Sequence, residues 1–156
     1  MLTLSADTAE MIARHAEATY PDECVGLLLG RLTGEVKISL RAVPLENRWA
    51  GQVSLAKADN GESRRNRFYL DPHDYLRADR EARAADMDIV GCYHSHPDYP
   101  ATPSERDRMG AQGVGGGPSF AFVIQSVRAG QSAEVASWLL RDAGARFEQE
   151  DLCVTG

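Results

Sequence analysis

Ala9, Ile12, Ala13 and Ala16 recur at the three-and-four spacing that turns one stripe of a helix toward a core, and the stripe stops at Tyr20-Pro21. Ser5 is placed to cap this helix, and Asp7 to favour its positive end. The period then changes. Cys24 to Leu29 is nearly continuous apolar sequence, and beyond Gly30 to Gly34 the apolar Val36, Ile38, Leu40 and Ala42 alternate with Lys37, Ser39 and Arg41. That pattern predicts a hairpin with one buried and one half-exposed strand. From Pro44 to about Arg67 periodicity gives way to polar and charged residues, which predicts a long surface loop. Asp71 as cap and Pro72 at the first position open a second helix, whose stripe of Tyr75, Ala78, Ala82 and Ala85 is small enough for close packing on a sheet. Ile89-Val90-Gly91-Cys92-Tyr93 reads as a short buried strand that ends at the prolines Pro97 and Pro100. After one more helix, the segments from Phe120 to Val127, Glu134 to Arg141 and Ala145 to Val154 read as three further strands. The expected fold class is α+β: a mainly antiparallel sheet flanked by helices, with residues 1–156 as a single domain.

The chemistry concentrates where the buried strand ends. His94 and His96 stand two apart, so on an extended backbone both imidazoles project from one side and can reach one ion. Asp107, eleven residues after His96, can supply a carboxylate, and two histidines with one carboxylate leave a coordination position of zinc open to water. The helix carrying Asp107 has two possible caps. Thr102 at the cap, Pro103 first and Glu105 third would form a capping box that leaves Ser104 and Asp107 facing the histidines, and this is the arrangement expected. The alternative is Ser104 as cap with Asp107 closing the box. Cys92 shares strand parity with the histidines and could replace a carboxylate ligand, but packing as a small apolar thiol is the preferred reading. His15 and His73 are expected at the surface, and Ser95 is given no chemical role.

The order His94-Ser95-His96, seven residues, Ser104, two residues, Asp107 resembles the JAMM (MPN+) metalloprotease motif, with every position present. Glu23, in Pro21-Asp22-Glu23-Cys24-Val25-Gly26-Leu27-Leu28-Leu29-Gly30, is similar to the upstream glutamate of that family. The compact prokaryotic members look most alike. The resemblance implies an MPN/JAB-like, cytidine-deaminase-like fold and one catalytic zinc held by His94, His96 and Asp107. It implies Glu23 as general acid and base and Ser104 as the donor to an oxyanion. It also implies cleavage of a peptide or isopeptide bond after the C-terminal glycine of a ubiquitin-like or sulfur-carrier protein, or a general deubiquitinase-like activity. A non-catalytic scaffold of the same fold is the competing class. The segment from about Trp49 to Ser63 looks like an insertion relative to short members.

Composition narrows the rest. A net charge of -6 gives no electrostatic reason to bind nucleic acid, and Arg64-Arg65-Asn66-Arg67 is too short to change that. Cys24, Cys92 and Cys153 are scattered and odd in number, so neither a disulfide framework nor a cysteine zinc site is expected. The stretch from Met109 to Val127 is long and uncharged, but five glycines and a proline make it a loop followed by a strand, not a membrane helix. Its Gly113-Val114-Gly115-Gly116-Gly117 run lacks the lysine of a phosphate loop. A cytoplasmic protein without a membrane segment is expected, and the oligomeric state stays open.

Overall fold

A computed structural model describes residues 1–48 and 69–156 of the chain. The expected insertion from about Trp49 to Ser63 and the arginine cluster after it lie outside the described residues. Strands β1 (Leu2–Ser5), β2 (Val25–Thr33), β3 (Val36–Leu45), β4 (Asp88–Pro97), β5 (Ala121–Arg128), β6 (Gln131–Arg141), β7 (Arg146–Glu150) and β8 (Leu152–Thr155) form one sheet in the order β7-β6-β5-β4-β2-β3-β1-β8. Helices α1 (Ala6–Thr19), α2 (Pro72–Ala84) and α3 (Glu105–Gln112) flank it. Four strand pairings are antiparallel and three are parallel, β1 with β3, β1 with β8, and β4 with β5, so the sheet is mixed.

The two long helices start where the caps predict. The Ser5 hydroxyl accepts from the Thr8 N–H at 3.1 Å, and the Asp71 carboxylate accepts from the His73 N–H at 2.8 Å. Ile12 and Ala16 of α1 are buried with Leu2, Leu4, Leu28, Tyr93 and Val123 against one face of the sheet. Ala78 of α2 and Ala111 of α3 are buried with Val25, Leu27, Cys92 and Phe122 against the other. Strand alternation therefore sends Cys24 and Tyr93 to the α1 side, and Val25 and Cys92 to the α2 and α3 side.

Two expectations change at the ends of the chain. Leu2–Ser5, not singled out in the pattern, forms β1. The segment from Ala145 to Val154 is not one strand: it divides at Asp151 into β7 and β8, which pair with β6 and β1 at opposite edges. A single residue spans from one edge to the other, which is possible only because the sheet curls until its edges meet. Glu150 marks the seam. Its Oε1 lies 2.8 Å from Lys37 Nζ on β3, and its Oε2 accepts from the Ser137 hydroxyl on β6 at 2.8 Å. Both charged side chains are buried, so each needs the other to offset the loss of water.

One glycine holds the central strands in place. Gly26 lies opposite Tyr93 in the β2–β4 ladder, and a Cβ at position 26 would fall 2.2 Å from the tyrosine ring. The ring is fully buried and its hydroxyl is bonded to His15 Nδ1 at 2.8 Å, so it has nowhere to retreat. His15 is thus half-buried and partnered, a departure from the surface position expected for it. Gly26→Ala is expected to destabilise the fold by about 1–3 kcal/mol through overpacking, read as a lower urea midpoint with unchanged slope. An unchanged midpoint would mean that the Tyr93 ring repacks freely.

Candidate metal centre

β4 carries His94 and His96 at its exit, and Val25 at the start of β2 lies directly opposite His94. Glu23 precedes Val25 by two residues and so approaches the same side. α3 brings Asp107 in from beyond the strand end. One ligand atom from each of Glu23, His94, His96 and Asp107 lies within 4.8 Å of all the others, and all four residues are buried. Asp107 Oδ2 is 2.9 Å from His96 Nε2, and Asp107 Oδ1 is 3.1 Å from His94 Nε2. The two Nε2 atoms are 3.2 Å apart, and Glu23 Oε1 is 3.9 Å from His96 Nε2.

The tautomer of one histidine follows from its neighbour. His96 Nδ1 is 2.7 Å from the Pro100 carbonyl, an obligate acceptor, so Nδ1 carries hydrogen and donates. In neutral His96 the Nε2 lone pair therefore points at a carboxylate oxygen and a second imidazole nitrogen. Two ring nitrogens and a carboxylate converge on one point, where a proton on a ring nitrogen or a cation can sit between them. Two neutral imidazole nitrogens with one carboxylate, buried and oriented by an outer carbonyl, match the donor set of a catalytic zinc site with a position left open.

The capping of α3 corrects an expectation. Ser104, not Thr102, is the N-cap: its hydroxyl accepts from the Asp107 N–H at 3.1 Å, and Asp107 Oδ2 accepts from the Ser104 N–H at 2.8 Å. Glu105 is not the third helical residue, and it pairs with Arg108 at the surface. An ionised carboxylate offers about four lone-pair directions, of which the cap uses one, so capping leaves Asp107 able to hold an ion.

Charge follows from burial and proximity. Burial opposes ionisation of Asp107, yet the two imidazoles outweigh it and hold the carboxyl far below the usual carboxylate range. Burial lowers the pKa of His94 against the pull of Asp107. At His96 burial also disfavours the charge, but Asp107 and the Pro100 carbonyl prevail and raise the pKa above its ordinary 6.5. A cation bound here competes with a proton for His96 Nε2, so metal affinity is expected to climb as pH rises through the histidine range and then level off. Competition titration against a chromophoric chelator measures this, and a pH-independent affinity would contradict it.

Beside the cluster opens a cavity of about 420 Å3, lined by Glu23, His96, Tyr99, Pro100, Ser104 and Arg106 among others. Its wall between His96 and Ser104 is tied down from three directions. Asp98 accepts from the Tyr20 hydroxyl at 2.6 Å, the Ser126 hydroxyl donates to the Tyr99 carbonyl at 2.6 Å, and the Trp138 indole donates to the Ala101 carbonyl at 3.1 Å. These anchors, distant in sequence, have no signature in the motif. Ser95, given no role from sequence, is fully buried, and its hydroxyl accepts from the Cys24 N–H at 2.8 Å. Cys92 packs in the core next to the cluster without joining it, and burial pushes its thiol up to about 12.

A curled mixed sheet with flanking helices and a two-histidine, one-aspartate cluster at the end of a central strand defines a JAB/MPN-type domain with a possible metal site. The chain belongs to the family of prokaryotic homologues of the JAB domain, whose model matches residues 5–141. It is similar to the solution structure of protein DSY2949 from Desulfitobacterium hafniense, with 28% identity over 99% of this chain and 93% of that one, at a TM-score of 0.77. A protein from Salinibacter ruber shares 31% identity over 98% and 91% of the two chains, at a TM-score of 0.67. AF2198, a JAB1/MPN domain protein from Archaeoglobus fulgidus, is 18% identical over 99% of each chain at a TM-score of 0.54, and supports the fold alone. A search of curated proteins returns no significant match. Among the described residues, no helix is long and apolar enough to cross a membrane.

Proposed function

We propose that this chain is a zinc-dependent hydrolase that cleaves a peptide or isopeptide bond after the C-terminal glycine of a ubiquitin-like or sulfur-carrier protein. The observation that carries this reading is the position of Glu23. A fully buried carboxylate stands 3.9 Å from the nearest ligand nitrogen, too far to share its proton and close enough to meet a water held between them. His94, His96 and Asp107 would hold the ion. Zinc so bound supplies Lewis acidity, which polarises a carbonyl and brings the pKa of water down toward about 7.

The chain's own groups do the rest. Glu23 accepts the proton of the attacking water and delivers it to the departing amine, so one carboxylate serves both half-reactions. Ser104 lines the same cavity. Its oxygen is engaged in accepting from the Asp107 N–H, which leaves the hydroxyl hydrogen able to donate to the oxyanion on the attacked carbonyl. The Pro100 carbonyl keeps the His96 ring turned toward the ligand position. A narrow glycine tail suits access to a cluster this deeply buried. Three thiols with no disulfide among them fit a reducing, cytoplasmic setting.

Mass spectrometry of glycine-tailed carriers, incubated as amino-acid or peptide adducts with the zinc-loaded chain, tests the proposal. Release of the adduct that stops on chelation and returns with zinc supports it. Zinc binding with no cleavage of any carrier or ubiquitin adduct would favour a protein-binding scaffold instead. Cleavage of ubiquitin adducts in preference to sulfur carriers would make it a general deubiquitinase-like isopeptidase. Ser104→Ala is expected to lose about 2–4 kcal/mol of transition-state stabilisation, read as kcat/KM. A loss confined to thermal stability would restrict Ser104 to capping α3.

A further inference from the structure

Glu23 sits outside the ladder that orders its neighbours. β2 begins at Val25, so no strand pairing orients the peptide unit joining Glu23 to Cys24. Two buried side chains take over that task. Asn47 Nδ2 donates to the Glu23 carbonyl at 3.0 Å, and the Cys24 N–H of the same peptide donates to the Ser95 hydroxyl at 2.8 Å. The plane is therefore gripped at both ends. Its orientation sets the backbone torsion of Glu23 and hence the direction in which the carboxylate leaves the chain.

Asn47 has a second bond that fixes its own posture. Its Oδ1 accepts from the Tyr69 N–H at 3.1 Å, so turning the amide over would set donor against donor and acceptor against acceptor. The neighbouring Arg48 Nε donates to Asp74 Oδ2 on α2 at 2.8 Å. Asn47 thus joins Tyr69 to the peptide of Glu23 through one hydrogen bond on each side, next to the anchor of Arg48 on α2. Only an asparagine side chain at this reach offers a donor and an acceptor in that arrangement. Leucine keeps the shape and loses both, while aspartate keeps the acceptor and loses the donor.

We infer that Asn47 is a positioning residue that aims the Glu23 carboxylate at the metal centre by clamping the Glu23–Cys24 peptide from the junction of residues 47 and 69. The inference rests on the hydrolase reading in assigning Glu23 its task. Asn47 bonds the Glu23 backbone and is not one of the four clustered side chains, so its effect on turnover is expected to pass through Glu23. That dependence separates it from a residue that merely stabilises the fold.

The test is a double-mutant cycle on the full zinc-loaded chain with Glu23→Gln, Asn47→Leu and Asn47→Asp. Either Asn47 variant is expected to lower kcat by about 10- to 100-fold with KM and zinc content unchanged, and to have no further effect in the Glu23→Gln background. Independent, multiplying losses would overturn the inference. A readout without turnover is the pH midpoint of the visible absorption change in the cobalt-substituted protein. Asn47→Leu should shift it as Glu23→Gln does, and the double variant no further. No shift in Asn47→Leu, where Glu23→Gln does shift it, would also overturn the inference. Should Asn47→Leu fail to fold, Asn47→Asp decides: Tyr69 amide protection should persist while Cys24 amide exchange quickens, and unchanged Cys24 exchange would refute the clamp. A wild-type chain that turns over no carrier adduct would sink the hydrolase reading, while the cobalt and exchange results still judge the clamp.

Discussion

Glu23→Gln is expected to leave zinc bound in full and to slow hydrolysis by about 100- to 10,000-fold, the range for removing a positioned general acid and base. The substitution is nearly isosteric in a side chain that is only 2% exposed, so packing is preserved. The amide cannot take the proton of water, and removing the carboxylate leaves His94, His96 and Asp107 and their mutual contacts intact. Metal content and turnover should therefore separate. If Glu23→Gln lost zinc along with activity, Glu23 would be a fourth ligand and the site would be closed, as in structural zinc centres. If it stayed fully active, another group would have to move the proton.

Asp107 caps α3 and, on the proposed reading, also holds the ion, and two substitutions divide these duties. Asp107→Ala is expected to weaken zinc binding by more than about 100-fold, beyond the loss typical of an outer-shell partner. It should also cost the apoprotein about 1 kcal/mol through the lost cap. Asp107→Asn keeps an oxygen able to accept from the Ser104 N–H and keeps its own N–H for the Ser104 hydroxyl, so the capping box survives. Its neutral amide is a poor partner for a divalent cation flanked by two imidazoles. Calorimetric zinc titration should find both variants impaired, whereas urea denaturation of the metal-free proteins should find the alanine variant weaker than the asparagine variant by the lost cap, since both lose the carboxylate's pairing with the imidazoles. Equal apoprotein stability for the two would assign the helix start to something other than Asp107.

Much of the site could be read from spacing because its candidate ligands lie close together in the chain. His94 and His96 share a strand face by parity, and Asp107 follows within one loop and the first turn of α3. Ser104 rather than Thr102 starts α3 because Asp107 can close the capping box and still face the histidines. The supporting partners were hidden for another reason. Asn47, Ser95, Trp138 and Tyr20 act through single hydrogen bonds to backbone or side-chain atoms far along the chain, and such bonds impose no periodicity on the residues around them. By strand parity Ser95 points away from His94 and His96. That same parity takes its hydroxyl to the Cys24 N–H.

Local patterning by itself determined the helix starts at Ser5 and Asp71, the buried strand ending in two histidines, and the chemical type of the donor set, since each depends on neighbours within one or two turns of chain. Tertiary structure decided how residues 146–155 divide. An alternating run carries no mark of which edge it will join, and only the curl of the sheet brings β7 to β6 and β8 to β1 across the single residue Asp151. It also decided the meeting of Glu23 with His96, because a side chain before one strand reaches a side chain at the end of another only through the register of β2 on β4.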